Sequence, residues 1–563
     1  MSSADKPFAI TLDVGSSLAN HTGSWRTERP VYVRKTAPCG GACPAGEDVQ
    51  QWLYDAEEGG YEAAWRKIME RNPFPSVCGR VCYHPCETAC NRAQLDEAVG
   101  INSVERFLGD QAIAEGWTIE PPRELTGKRI LVVGAGPAGL SAAYHLALLG
   151  HTVSVRDAAP AAGGMLRYGI PKYRLPRDVL DAEIGRIRDL GVSFELSHNV
   201  PDVVAEKHSG DFDAVFLAVG ARLGSRTYIP AGSAARVIDA ISLLRDVEAG
   251  SAGPPQLGRR VAVYGGGNTA MDAARTAKRL GADDSVVIYR RTRDRVPAHE
   301  SELMEALQEG ITVKWLSTIT RADSGRLTVE KMVLDEDGRP QGTGEFEELD
   351  ADTLVLATGQ QTDLSLVDGV DGITVEDTCV TVDANLMTGR EGIFAGGDVT
   401  PTERTATVAI GHGRRAALGI DRWLRGIVAP GGATVSDSAS ETGIGPAPMS
   451  EEVQFPALNS WYYSDAPHAV RPQLEAARRA STFDEVVQGL DESTALFEAR
   501  RCMSCGNCLA CDNCYGVCPD NAVIKLDPPG AYAYAFDLDF CKGCGLCAQE
   551  CPCGAIEMQP EQI

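Results

Sequence analysis

The hydrophobic pattern changes character along the chain. Residues 50–71 carry apolar side chains at helical spacing, with Trp52, Leu53, Ala56, Ala64, Trp65 and Ile68 in one stripe, which predicts amphipathic helices. From about Gly127 the pattern turns to short β-branched runs, each followed by glycines or a helical stretch. These runs are Arg129–Val133, Thr152–Val155, Ala214–Ala218, Arg260–Tyr264, Ser285–Tyr289 and Thr353–Ala357. Strands alternating with helices predict βαβ units and parallel sheets. Residues 426–450 are rich in Gly, Ala, Ser and Pro and read as a linker. Residues 451–495 are polar and partly helical, and the pattern assigns them no role. At roughly 150 residues per domain, 563 residues predict three to four domains.

One apolar run, Ile130 to Gly150, is long enough to suggest a membrane span. Gly134, Gly136, Pro137, Gly139 and His145 interrupt it, so a span is not expected. The composition is that of an ordinary globular protein, 44% hydrophobic and 23% charged. Lys and Arg number 53 against 78 Asp and Glu, a net charge of −25. That balance argues against a nucleic-acid partner, which needs a basic face, and against docking on anionic lipid. No basic stretch leading into an apolar one marks a signal peptide at the N-terminus.

The 18 cysteines change the picture most. Six lie between Cys39 and Cys90 and eleven between Cys502 and Cys553, while Cys379 stands alone and reads as a small buried apolar residue. Their tight spacings suit thiolate ligation better than a secreted disulfide framework, so a cytoplasmic location is expected. The run Cys508-x2-Cys511-x2-Cys514-x3-Cys518-Pro519 recurs as Cys541-x2-Cys544-x2-Cys547-x3-Cys551-Pro552. This doubled run is the bacterial two-cluster ferredoxin signature, in which the fourth cysteine of each run ligates the other cluster. One four-iron cluster then takes Cys508, Cys511, Cys514 and Cys551, and the other Cys541, Cys544, Cys547 and Cys518. Cys502, Cys505 and Cys553 are left over. Cys502-x2-Cys505 continues the spacing upstream and leaves the register open. The N-terminal group, Cys39-x3-Cys43-Pro44 and Cys78-x3-Cys82-x3-Cys86-x3-Cys90, also suggests iron–sulfur ligation. It suits zinc less, because C-x2-C pairs are missing.

Two dinucleotide fingerprints lie between the cysteine groups. Arg129–Val133 enters Gly134-Ala-Gly136-Pro-Ala-Gly139 and then a helical stretch. Gly134 permits the tight turn, Gly136 lets a pyrophosphate approach the backbone, and Gly139 lets the helix sit close to the strand. Asp157 follows the second strand, where an acid accepts a ribose hydroxyl. Arg260–Tyr264 enters Gly265-Gly-Gly267-Asn268-Thr269-Ala270, the variant ending in alanine. Here the following strand ends in Arg290 and Arg291 in place of an acid. Two guanidiniums there favour a 2′-phosphate, hence NADP over NAD. The alternative is that they are solvated, or pair with Glu300 or Asp294. Arg293 is a weaker candidate for the same role.

Further motifs define a resemblance. Gly163-Gly-Met-Leu-Arg-Tyr-Gly-Ile-Pro171, Arg174-Leu-Pro176, Gly265 to Asp272, Tyr289-Arg-Arg-Thr292, Ala357-Thr-Gly359 and Gly392-Ile-Phe-Ala-Gly-Gly-Asp398 occur in one order. Residues 35–425 resemble the small subunit of NADPH-dependent glutamate synthase and the N-terminal half of dihydropyrimidine dehydrogenase. The resemblance implies FAD in the first site, with Gly164 and Asp398 against it, and NAD(P)H in the second. It also implies that Thr405–Val408 places a helix N-terminus beside the flavin. In that family the N-terminal region carries two four-iron clusters, and four cysteines form the motif ending in Cys-Pro. Here the earlier pair, expected near Tyr32 to Lys35, is missing. By matching positions one cluster is completed by Cys43, Cys82, Cys86 and Glu105, and the other retains only Cys39 and Cys90. A single rearranged cluster using Cys39 and Cys43 stays open. One N-terminal cluster is expected.

The expected architecture is a multidomain α/β chain. A helical iron–sulfur domain spans 1–125, an FAD domain 126–250 plus 351–425, and a nested Rossmann-like NAD(P) domain 251–350. A linker and extension spans 426–495, and an α+β ferredoxin-like domain 496–563. Nicotinamide exchanges electron pairs and clusters exchange single electrons, so a flavin is expected between them. The sequence thus predicts an NAD(P)H-dependent electron-transfer flavoprotein with no catalytic side chain of its own. Its partner is expected to be a protein electron acceptor or donor in a larger complex, such as a 2-oxoacid:acceptor oxidoreductase. The alternatives are a glutamate synthase small subunit, against which the ferredoxin tail argues, and a non-catalytic redox sensor.

Overall fold

The computed structural model describes residues 21–225, 229–232, 236–250, 255–427, 451–526 and 533–561. Most of the expected linker, residues 428–450, lies outside them. Two parallel five-stranded sheets organise the middle of the chain. The first runs in the order Ile393–Ala395, Ala214–Leu217, Arg129–Val133, Thr152–Asp157 and Ser193–Leu196. The second runs Thr312–Lys314, Asp284–Ile288, Arg260–Tyr264, Thr353–Leu356 and Val237–Asp239. Strands with both faces covered read as continuous apolar runs, which is why Ile130–Val133 and Val261–Tyr264 are buried throughout.

The second sheet differs from expectation at both borders. Val237–Asp239 and Thr353–Leu356, which the sequence boundaries assign to the first unit, pair inside the second sheet. The cause is register. Thr353–Leu356 aligns with Val261–Tyr264, the strand that carries the second fingerprint, and recruits Val237–Asp239 on its other side. A three-stranded antiparallel sheet, Ser317–Asp323, Arg326–Leu334 and Pro340–Asp350, packs on this unit. The suspected membrane run divides into the buried strand Arg129–Val133 and the helix Pro137–Leu148. Among the described residues no helix is long and apolar enough to cross a membrane.

The N-terminal region is helical, with Val49–Glu57, Tyr61–Met69, Pro75–Val81 and Ile101–Ala114 as its main elements. The apolar stripe is buried as its spacing implies, Trp52, Trp65 and Ile68 completely. The strand Glu28–Tyr32 pairs antiparallel with Ile556–Pro560, so the two ends of the chain share one ladder. Residues 451–495, to which the pattern assigns no role, strap the units together. Their backbone bonds reach Thr36 from Val453, Glu97 from His468, and Tyr173 from Val486. Cys379 is half-buried on a short strand rather than fully enclosed.

Candidate functional site

Both fingerprints form the strand, turn and helix that their residues predict. Gly134 adopts φ +111°, and a Cβ there would collide with the Ala218 carbonyl oxygen. Gly139 brings the helix Pro137–Leu148 against the strand, since a Cβ on it would meet the Gly134 carbonyl. Gly136 differs. The nearest neighbour of a Cβ there would be the Gly164 Cα at 3.9 Å, so its face is open. Gly134, Gly136, Asp157, Gly164 and Asp398 line a cavity of about 730 Å³. The Asp157 carboxylate accepts the Ala135 N–H at 2.6 Å and the Ala159 N–H at 2.7 Å. It therefore holds the glycine turn, with oxygen lone pairs left for a ribose.

The second site repeats the geometry. Gly265, Gly267, Asn268, Thr269, Arg290, Arg291 and Thr405 line a cavity of about 630 Å³. Gly267 opens on it, and a Cβ there would meet nothing within 4 Å. Asn268 accepts the His299 N–H at 2.9 Å and so fixes the far wall. Arg290 and Arg291 form no ion pair with any described residue, and the Arg291 Nε is buried without a hydrogen-bond partner. The acids that could have neutralised them are engaged elsewhere. Glu300 pairs with Arg293 at 2.6 Å, and Asp294 lies 4.0 Å from Arg295. A buried donor without an acceptor is costly, and a phosphate oxygen would satisfy it.

The cavities meet at Pro137, Met165, Asp398 and Ala409, which line both. Burial pushes the Asp398 carboxyl up, while Arg404 opposes the shift. Thr405 accepts the Val408 N–H at 3.2 Å and caps the helix Ala406–Leu424, whose first turn faces this junction. Met165 and Ala409 were not singled out by the sequence, because an apolar side chain carries no chemical signature. Arg174 stood out only as part of a motif, because its partners lie on other elements of the chain. Its guanidinium bridges the units by pairing with Asp272 at 2.8 Å and with Glu302.

One N-terminal thiol, Cys82, lies beside the second cavity. Val81 and Tyr83, on either side of Cys82, line the second cavity. Cys82 packs against the buried cluster that includes Ala138 and Ala409 of the junction. Cys43, Cys82 and Cys86 gather with Glu105 around one buried point. Glu105 is held by the Asn72 amide at 3.1 Å, and the same amide donates to Glu47 at 2.9 Å. Burial raises both carboxyls, Glu47 to about 7. Cys39 and Cys90 turn away from this group.

In the C-terminal region Cys508, Cys511 and Cys514 converge with Cys551. Cys541, Cys544 and Cys547 converge with Cys518. Backbone N–H groups point at the sulfurs, with Ala522 3.2 Å from Cys518 and Ala555 3.3 Å from Cys551. Among the described residues no group of three His, Cys, Asp or Glu side chains is placed to hold a single metal ion.

Three family models match the chain in sequence. Pyridine nucleotide-disulphide oxidoreductase covers residues 128–413, dihydropyrimidine dehydrogenase domain II with its 4Fe-4S cluster 18–117, and the 4Fe-4S dicluster domain 507–555. The chain belongs to the pyridine nucleotide-disulphide oxidoreductase family. It is an NAD(P)H-dependent iron–sulfur flavoprotein of electron transfer, with FAD and NAD(P) sites in the middle and four-iron cluster domains at both ends. The NADP(+)-dependent formate dehydrogenase subunit beta of Moorella thermoacetica is 36% identical over 510 residues, covering 84% of this chain and 70% of that protein. The NADPH-Fe(3+) oxidoreductase subunit beta of Geobacter sulfurreducens is 34% identical over 517 residues, covering 84% and 75%. The NAD-dependent dihydropyrimidine dehydrogenase subunit PreT of Escherichia coli is 31% identical over 393 residues, covering 69% and 92%.

Proposed function

We propose that this chain is the NADPH-facing subunit of a larger cytoplasmic oxidoreductase, joining a two-electron carrier to a partner that exchanges single electrons. Bound FAD would supply the conversion between hydride and single electrons, and the clusters the one-electron conduction. The chain's own residues set the positions. Gly136 and Gly164 open the first cavity to a pyrophosphate, and the N-terminus of the helix Pro137–Leu148 offers it unpaired N–H groups. Gly267 and the helix Asn268–Arg279 do the same in the second cavity, where Arg290 and Arg291 would hold a 2′-phosphate.

The observation that carries the reading is the shared wall. One cavity wall, formed by Pro137, Met165, Asp398 and Ala409, belongs to both nucleotide sites, and Cys82 stands between Val81 and Tyr83, which line the second. Exit is supported at the other end, where Cys544 is exposed beside the exposed Leu546. NADPH as the working nucleotide agrees with the unpaired arginines and with the names of the Moorella and Geobacter relatives. Those relatives are named as beta subunits, which supports a separate catalytic subunit here. A 2-oxoacid:acceptor oxidoreductase is one candidate and a formate-oxidising subunit another. The test is a native anaerobic pull-down followed by turnover of the captured complex with NADPH. A co-purifying catalytic subunit whose activity needs this chain supports the reading. A chain that stays alone and transfers electrons to no protein overturns it.

A further inference from the structure

We propose that Cys39, Cys90, Cys502 and Cys505 form a fourth iron–sulfur site, a four-iron cluster held between the two ends of the chain. It rests on the cluster-bearing reading above and names what the sequence left over. Two thiols come from the N-terminal helical region and two from the segment preceding the ferredoxin-type runs, more than 400 residues away in the chain.

The four sulfurs face one small enclosed pocket, walled also by Gln50, Leu53 and Ile101. Cys39 and Cys505 are buried, and Cys90 and Cys502 pack against the same apolar cluster. One backbone donor is aimed at this group. The Ser504 N–H lies 3.4 Å from the Cys502 sulfur. Donors aimed at sulfur are a lever by which proteins tune such clusters.

The position of the second pair explains a gap. The resemblance expects two further cysteines near Tyr32 to Lys35, and none is there. The loop that carries Cys505 occupies that place. The Lys35 N–H donates to the Gly506 carbonyl at 3.1 Å, and a Cβ on Gly506 would meet Lys35 at 2.9 Å. Tyr32 itself reaches the other way, with its hydroxyl 3.3 Å from the Cys514 sulfur. The C-terminal pair thus stands in for the missing N-terminal one. The joint is held by named bonds. Arg92 donates to the Arg501 carbonyl at 2.6 Å, Gln50 to the Ser504 hydroxyl at 3.2 Å, and Asn91 to the Val453 carbonyl at 2.9 Å.

The site also fills a break in the conduction path. Cys39 and Cys43 lie in one turn-and-helix segment, as do Cys86 and Cys90, so this pocket adjoins the group of Cys43, Cys82 and Cys86. On its other side Tyr463 donates to the Met503 carbonyl at 3.0 Å and lies among Cys502, Cys505, Cys553 and Cys511. Cys511 belongs to the first ferredoxin-type group. The four-cysteine site is therefore the link between the flavin-side cluster and the C-terminal pair.

The test is iron and acid-labile sulfide analysis of the anaerobically prepared full chain, with low-temperature EPR of the dithionite-reduced protein. Four clusters predict about sixteen irons per chain, and three predict about twelve. The C502S/C505S variant is expected to lose about four irons and one reduced-cluster signal while keeping FAD, and C39S to lose the same signal. An unmodified chain with about twelve irons overturns the proposal whether or not the variants fold. So does one zinc per chain in that pocket, or a C502S/C505S variant with its iron unchanged. The outcome is separable from the functional reading. NADPH should still reduce the flavin in C502S/C505S, while the C-terminal clusters fill more slowly. A flavin that NADPH fails to reduce in the unmodified chain counts against the function and leaves the iron count standing.

Discussion

Replacing Arg291 with alanine removes a half-buried guanidinium that has an unpartnered Nε in the second cavity. If that group waits for a 2′-phosphate, its loss costs NADPH a charge-assisted hydrogen bond, about 1.5–3 kcal/mol. That corresponds to a roughly 10- to 150-fold fall in kcat/KM for NADPH. NADH has no 2′-phosphate, so its kcat/KM should hardly move. Arg290 is exposed, where water and salt screen the charge, so R290A should cost less, about 1 kcal/mol or roughly fivefold. Its effect should also shrink as ionic strength rises, while that of R291A should persist. The assay is anaerobic steady-state reduction of an artificial one-electron acceptor with each nucleotide in turn. Equal losses with NADPH and NADH, or an unchanged ratio between them, would refute the assignment of these arginines to nucleotide choice.

Three further outcomes follow from the geometry. In G136V the valine has room within the protein but fills the space left for a pyrophosphate, so the chain should fold and purify without FAD, read as absorbance at the flavin band; retained stoichiometric FAD contradicts the site. R174M leaves Asp272 buried without its ion-pair partner and Glu302 with only Arg275 at 3.5 Å, which should cost about 3 kcal/mol in chemical denaturation of the nucleotide-binding units; an unchanged midpoint contradicts the bridge. His145 is buried on the first fingerprint helix with Nε2 3.2 Å from the Arg71 carbonyl, and burial lowers its pKa to about 4. The unfolded chain binds this proton first as pH falls, so the stability due to neutral His145 is present above about pH 6.5 and is lost from there down to about 4. Between pH 6.5 and 5.5 the loss should be about 1 kcal/mol, and H145Q should abolish that part of the pH dependence in urea melts.

Much of this molecule was legible in local sequence. A strand feeding a glycine turn and a helix is a short-range instruction. Arg129–Val133 with Gly134 and Arg260–Tyr264 with Gly265 therefore stand where their residues predict. What escaped was set by pairing between distant segments. Thr353–Leu356 has the same apolar character as any strand of the first sheet, and only its register against Val261–Tyr264 assigns it to the second. The strap of residues 451–495 binds through backbone groups and through pairs such as Glu485 with Arg80 and Arg106, whose partners lie hundreds of residues away and leave no mark on local pattern. Cys502 and Cys505 were visible as cysteines but carried no sign of their neighbours Cys39 and Cys90. Arg174 likewise belonged to a recognisable motif, yet its two acidic partners lie on other elements, one of them on the second fingerprint helix.

In this reading one polypeptide takes electron pairs from a nicotinamide and hands single electrons along a row of clusters. Anaerobic titration of the isolated full chain with NADPH, followed at the flavin band and by low-temperature EPR, addresses it most directly. The flavin absorbance should bleach and reduced-cluster signals should rise in the same sample with no partner protein present. A flavin that stays oxidised with both NADPH and NADH, or one that bleaches while no cluster accepts an electron, would contradict it.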